Sequence, residues 1–203
     1  MLENLGSRAD ADRVRAAVRD FAPGAAADDR AVIEGQAAAG TSGRIAVNQA
    51  AGTGNAQANL AAIAIADGGT GLVGLQARQQ PTAGALDRAA SAQLSDGAFS
   101  ASQGLLSVNQ VAGSGNAQAN LFAIGQLGSP AVALVAGVDD AALAGVAGDT
   151  TSGGAQPTSR PREAFIADDA FRGSQGVVQV NQTAGVGNAS TNAIVLQLPG
   201  GTP

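Results

Sequence analysis

Chemistry needs side chains that can be charged, deprotonated or made nucleophilic, and this chain has few of them. Adjacent carboxylates occur at Asp139 and Asp140 and again at Asp168 and Asp169. Paired acids transfer protons or hold cations only where they converge, and neighbours on an extended strand face opposite ways. Solvated turn acids are the simpler reading. The 203 residues include no His and no Cys, which removes the commonest general base, the commonest zinc ligand, the thiol nucleophile and any disulfide framework. The stretch "GTGNAQ" from Gly52 lacks the third glycine of a dinucleotide loop, and no Gly run continues into the Lys-Ser/Thr of a phosphate loop. The calcium nonapeptide "GGxGxDxUx" is absent too. The sequence therefore assigns no catalytic residue, no cofactor and no metal ligand, and predicts that the protein is not an enzyme.

Binding surfaces of familiar kinds are equally scarce. All eleven basic residues are Arg, the net charge is −5, and there is no Trp or Tyr, so neither a phosphate-reading stripe nor a base-stacking platform is available for nucleic acid. No apolar run approaches the roughly 18 to 20 residues of a membrane span. The opening "MLENLGSRAD" lacks the basic start and apolar core of a signal peptide, so the expectation is either a protein that is not secreted or the mature part of a precursor. What the chain does have is amide: Asn and Gln recur among 29 Gly and many Ala.

Those amides are arranged in a repeat. "VNQAAGTGNAQAN" from Val47 returns as "VNQVAGSGNAQAN" from Val108 and "VNQTAGVGNASTN" from Val180. Extended both ways, the phrase becomes three gap-free units of about 35 residues, 31–65, 92–126 and 164–198. An N-terminal segment (1–30), linkers of unequal length (66–91 and 127–163) and a short tail (199–203) complete the organisation. Equal units with unequal spacers suit a stack of equivalent layers, since each layer must match its neighbour while a connection only has to reach.

Within a unit the pattern is β. "GRIAVNQ", "GLLSVNQ" and "GVVQVNQ" alternate apolar and polar residues, "AQANLAAI" and its copies give a second extended segment, and "AVIEGQA" and its copies an earlier one. Glycines tolerant of positive φ separate them: Gly43, Gly52 and Gly54 in the first unit, Gly104, Gly113 and Gly115 in the second, Gly176, Gly185 and Gly187 in the third. The expected fold is all-β: a three-layer β-solenoid or cross-β stack of Greek-key-like β-arches, one layer per repeat. A repeated hairpin in a sandwich or barrel is the competing architecture.

Layers stacked at about 4.8 Å place identical side chains above one another, and an amide can bond to its own copy because it carries both donor and acceptor. The expected ladders are Asn48, Asn109 and Asn181; Gln49, Gln110 and Gln182; Asn55, Asn116 and Asn188; Asn59, Asn120 and Asn192; and the shorter pair Gln57 and Gln118. The Asn-X-Ser/Thr patterns at Asn181 and Asn188 fall inside the repeat, where Asn already has a structural reason to stand.

The phrase "VNQAAGTGNAQANLAAIAI" resembles the repeats of Fap-type bacterial functional amyloid subunits, which carry three imperfect copies separated by variable linkers. Curli subunits share a looser version with shorter, nearly contiguous repeats. The resemblance covers the three units, about half of the chain. It implies a secreted subunit that polymerises into cross-β fibres of the biofilm matrix, its partner being further copies of itself stacked head to tail, with a nucleator or minor fibre subunit as a further partner. The chain departs from the major subunits in lacking a C-terminal Cys pair, and its third unit carries "STN" within the shared phrase.

The layers at either end of a three-layer stack have open edges, which a monomer would cap. Against a fibre subunit stands a monomeric β-solenoid adhesin or binding module. The column Thr53, Ser114, Val186 is no Thr row for ice, and aromatic residues for carbohydrate are almost missing. "RVRAAVRDF", Arg13 to Phe21, has the spacing of a short amphipathic helix that would cap an end or dock on a neighbour, and the apolar run "VALVAGVDDAALAGVAG" in the second linker is expected to pack on the stack.

Overall fold

The computed structural model describes residues 28–66, 72–77, 79, 88–127, 133–138 and 160–199. The first repeat forms β1 (Asp29–Ile33), β2 (Ser42–Ala51) and β3 (Ala56–Ala66), and β4 (Leu72–Ala77) follows it. The second forms β5 (Ala90–Leu94), β6 (Gln103–Ser114) and β7 (Ala117–Leu127), followed by β8 (Ala133–Val138). The third forms β9 (Arg162–Ile166), β10 (Gln175–Val186) and β11 (Ala189–Pro199). No helix occurs among the described residues; the Arg13 to Phe21 segment lies outside them.

Each strand pairs only with its equivalents. The sheets run β1-β5-β9, β2-β6-β10, β3-β7-β11 and β4-β8, and every pairing is parallel. Asn48 lies opposite Asn109, and Asn109 opposite Asn181, so like residues stand in columns. Period-two side-chain alternation explains the fixed register: a slip of one residue would turn every Val-Asn-Gln inside out. Each repeat is therefore one layer, and the second lies between the first and third. Parallel neighbours need long crossovers, which the inter-repeat segments supply.

Two apolar zones hold the arches closed. Ile33, Leu94, Phe99, Leu106, Val108 and Ala170 bury together where the first sheet and its bend meet the second, and the Phe99 and Phe171 rings stack with centroids 5.4 Å apart. Ala31, Ala90, Ala92 and Ala112 form a second zone in which side chains of one carbon let the sheets approach closely. A core with so few aromatics is possible because repeated short contacts along an axis substitute for large side chains.

The bend between the first two strands of a layer differs from the expected form. β1 ends at Ile33, and residues 35–40 turn, with positive φ at Gly35, Gln36 and Gly40; in the second layer Asp96, Gly97 and Ala101 take these conformations. Gly43, Gly104 and Gly176 lie just beyond, as the second residues of β2, β6 and β10. The inter-repeat segments also hold more order than plain connections: β4 pairs with β8 in register, Leu72 opposite Ala133. Ala77 of β4 is buried with Ala119 and Leu121 of β7. β8 takes up part of the apolar run in the second linker; the rest of that run, with Asp139 and Asp140, lies outside the described residues.

Candidate functional site

Among the described residues no group of His, Cys, Asp and Glu could hold a metal ion. Asp168 and Asp169 sit in the turn after β9. The chemistry of the molecule is concentrated in the amides. Asn109, Gln110, Asn116, Gln118 and Asn120, all in the middle layer, are buried to within 1 % exposure. Burying so many polar side chains is tolerable only if their donors and acceptors are met.

They are met along the stack. Asn109 donates from Nδ2 to Asn48 Oδ1 at 3.0 Å, and Asn181 donates to Asn109 Oδ1 at 3.0 Å. Gln110 donates to Gln49 Oε1 at 2.8 Å and Gln182 to Gln110 Oε1 at 2.8 Å. Asn116 donates to Asn55 Oδ1 and Asn188 to Asn116 Oδ1, both at 2.9 Å. Asn120 donates to Asn59 Oδ1 at 2.9 Å and Asn192 to Asn120 Oδ1 at 3.0 Å.

Each column also ties sheets together. The Asn48 and Asn59 columns interlock across the arch: Asn109 donates to Asn59 Oδ1 and to the Ala58 carbonyl, while Asn120 donates to Asn109 Oδ1 and to the Val108 carbonyl. The Gln49 column reaches the first sheet, with Gln49 donating to the Val32 carbonyl and Gln110 to those of Ala31 and Gln93. In the Asn55 column the backbone N–H of Asn116 donates to Asn55 Oδ1 and that of Asn188 to Asn116 Oδ1. That backbone donation fixes which side of the Asn55 and Asn116 amides is oxygen.

All four columns share one polarity, with the later layer donating to the earlier. The third layer is left with oxygens: Gln182 Oε1, Asn188 Oδ1 and Asn192 Oδ1 accept no hydrogen bond among the described residues. In the first layer Asn48 keeps an Nδ2 with no acceptor among those residues, while Gln49, Asn55 and Asn59 donate to backbone carbonyls. The fifth column runs the other way and stops early. Gln57 donates to Gln118 Oε1 at 2.9 Å, but the third layer has Ser190 at that level, too short to continue. Gln118 instead donates to Thr183 Oγ1 at 3.0 Å, and Ser190 turns to Asn181 Oδ1 at 2.7 Å.

The nine glycines expected at turns all have positive φ, from 65° at Gly115 to 135° at Gly185. For two of their columns close approach is the further reason. A Cβ on Gly104 or Gly176 would run into the carbonyl of the glycine one layer earlier, and one on Gly113 into the Gly185 carbonyl. Sequence reading missed a column of hydroxyls. Thr41 and Ser102 approach at 3.4 Å, Ser102 donates to the Ala38 carbonyl and Ser174 to that of Phe99. Three hydroxyl residues at one level of the repeat were its signal.

The outer layers are incomplete by comparison with the middle one. Leu94 and Leu106 are 0 % and 3 % exposed, whereas Ile166 and Val178, their equivalents in the third layer, are 43 % and 41 % exposed. No solved structure matches the chain. The functional amyloid protein FapB/FapC family matches it across residues 9–199, taking in the segments between the repeats as well as the repeats themselves. That family is one of fibre-forming structural proteins rather than of enzymes, and the parallel, in-register stack of amide columns is the architecture such a role requires. The chain belongs to the functional amyloid FapB/FapC family.

Proposed function

We propose that this chain is a structural subunit of an extracellular fibre, supporting a biofilm matrix or surface attachment, and that it grows by stacking the first layer of one copy on the third layer of the next. The carrying observation is the contrast between layers. The middle layer has a copy above and below and is buried, while the outer layers repeat its strands and its Asn48, Gln49, Asn55 and Asn59 columns with one side bare. Adding a translated copy gives the outer layers what the middle one has. Asn48 and Gln49 donate to Asn181 and Gln182 of the neighbour, and the Asn55 backbone N–H meets Asn188 Oδ1. The edges that would be a liability in a monomer become the growing ends.

Purified protein incubated over a range of concentrations, viewed by negative-stain electron microscopy and analysed by fibre diffraction, tests this. The expected product is unbranched filaments with a meridional reflection near 4.7 to 4.8 Å. Replacing Asn109 and Gln110 together by Asp and Glu buries two unpaired carboxylates in the middle layer, set against the Asn48 and Gln49 oxygens that the amides donate to, and abolishes growth. Monomers that persist at every concentration, or filaments that grow unchanged from the doubly substituted chain, refute the reading.

A further inference from the structure

The two outer layers differ from the middle one in charge, and the differences are complementary. At the start of the first sheet the register is Asp29, Ala90, Arg162 in one column and Arg30, Ser91, Glu163 in the next. The middle layer is neutral at both levels. The first layer carries minus then plus, and the third carries plus then minus. Within one chain the opposite charges are two layers apart and separated by Ala or Ser. Translation of a second copy onto the stack brings them into adjacent layers.

Asp29 shows why this matters. It points inward with Ala31 and Ile33, is 6 % exposed, and one of its oxygens, Oδ2, is buried without a hydrogen-bond partner. Arg88 lies 3.7 Å from the other oxygen and is itself partly exposed. A buried carboxylate with an unmet oxygen is costly and calls for a cation. Asp29 Oδ2 lies against Gly52, and the Arg162 stem lies against Gly185, which stands at the same level of the stack two layers on. The acid and the guanidinium therefore occupy the same groove at its two ends.

We propose that Asp29 with Arg162 and Arg30 with Glu163 form a two-column charge lock between successive subunits, selecting a second copy of this chain in head-to-tail order. The proposal rests on the stacking stated above and adds what chooses the partner and its orientation. Two first-layer faces brought together would meet with no guanidinium from Arg162 for the buried Asp29. Amide columns alone are tolerant of what they join, because any Asn continues any Asn ladder; complementary charges discriminate between ends.

Arg30 and Glu163 are both exposed, so exchanging their charges leaves the free fold intact. R30E carries carboxylates at both ends of its column, and E163R carries guanidinium groups at both ends. Each alone places like charges at every junction, whereas an alternating mixture places opposite charges at every junction. Elongation from sonicated seeds of the same composition, followed by sedimentation and electron microscopy, is the assay. Each variant alone is expected to elongate about tenfold or more slowly than the unsubstituted chain, with the gap narrowing at about 0.5 M salt. The equimolar mixture is expected to recover the unsubstituted rate within about twofold and to incorporate both chains equally. D29R and R162D give the same test for the inner column, and recovery on mixing shows that each variant is folded. Single variants that elongate like the unsubstituted chain, or a mixture no faster than its components, overturn the lock while leaving head-to-tail stacking in place. An unsubstituted chain that never elongates overturns both.

Discussion

Asn109 and Asn48 stand in the same column, one in the middle layer and one at the bare face, and truncating each to Ala separates what an amide does for the fold from what it does for growth. Asn109 shares its two amide protons among Asn48, Asn59 and the Ala58 carbonyl, and accepts two hydrogen bonds, from Asn120 and Asn181. At about 0.5 to 1.5 kcal/mol net for each, and with neighbours sharing the loss, Asn109→Ala costs the free subunit about 3 kcal/mol. Asn48 is exposed and only accepts, from Asn59 and Asn109, both of which keep other acceptors, so Asn48→Ala costs about 1 kcal/mol. In the fibre every Asn48 becomes interior, and the two substitutions converge. Urea unfolding of the monomer by circular dichroism reads the first quantity, and the residual monomer concentration at equilibrium with fibres reads the second. The expected pattern is a larger loss of monomer stability for Asn109→Ala and a larger rise in residual monomer for Asn48→Ala, the two losses of each variant adding to similar totals. Equal monomer losses, or a fibre indifferent to Asn48→Ala, would refute the reasoning.

Four further outcomes are expected. Gly104→Ala sets a Cβ against the Gly43 carbonyl, at a φ of 116°, and destabilises the free subunit by about 2 to 5 kcal/mol in urea titration. Gly43→Ala has only the strain of its φ of 100°, since nothing lies within 4 Å, yet it blocks addition at that face, so its monomer folds while seeded elongation stops. Thr183→Val removes the hydroxyl that receives Gln118 where the fifth column ends, and lowers the urea midpoint by the equivalent of about 1 kcal/mol. The Asp29 carboxyl is pushed above its ordinary value chiefly by burial, with Arg88 opposing and Asp28 adding to the rise. Between the unfolded value of about 3.9 and the raised folded one, the folded chain binds more protons, so this group's contribution falls as pH rises through that window. Monomer unfolding curves across that range should show this loss in the unsubstituted chain and its absence in Asp29→Asn.

Columns of like residues were legible because a parallel in-register stack makes alignment of the repeats the same operation as pairing of the strands. Val47, Val108 and Val180 align in sequence and lie opposite one another in space. The bend was less legible, since the residues that take positive φ change identity from layer to layer. Gly40 is matched by Ala101, which adopts φ 55° without a glycine's freedom and is held there by its layer neighbours. β4 and β8 were hidden for another reason: "LVGLQA" and "ALVAGV" share no residue at matched positions, yet they fall opposite one another when the gap-free frame of the first two repeats is simply continued. The charged columns at Asp29 and Arg30 stood in the same frame and were passed over because a search for identity discards positions that differ.

Two directional features of the stack are independent in chemistry and agree in sense. The amide columns point their oxygens toward the open side of the third layer and their N–H groups toward the open side of the first. Aligned amides polarise one another, so a column strengthens as it lengthens and an added layer gains most when it continues the same polarity. The charge columns set Arg162 and Glu163 at the third layer and their complements at the first. A subunit reversed against the third layer would turn amide oxygens toward oxygens and lose the pairing of Arg162 with Asp29 and of Glu163 with Arg30, two separate penalties at one junction. Amides supply cohesion that is indifferent to sequence beyond Asn and Gln, and charges supply the discrimination that cohesion lacks. A chain more than a third Gly and Ala, with little side-chain bulk to define a mating surface, thus obtains direction from dipoles and specificity from four charged residues, and the neutral middle layer keeps those charges from satisfying one another inside a single subunit.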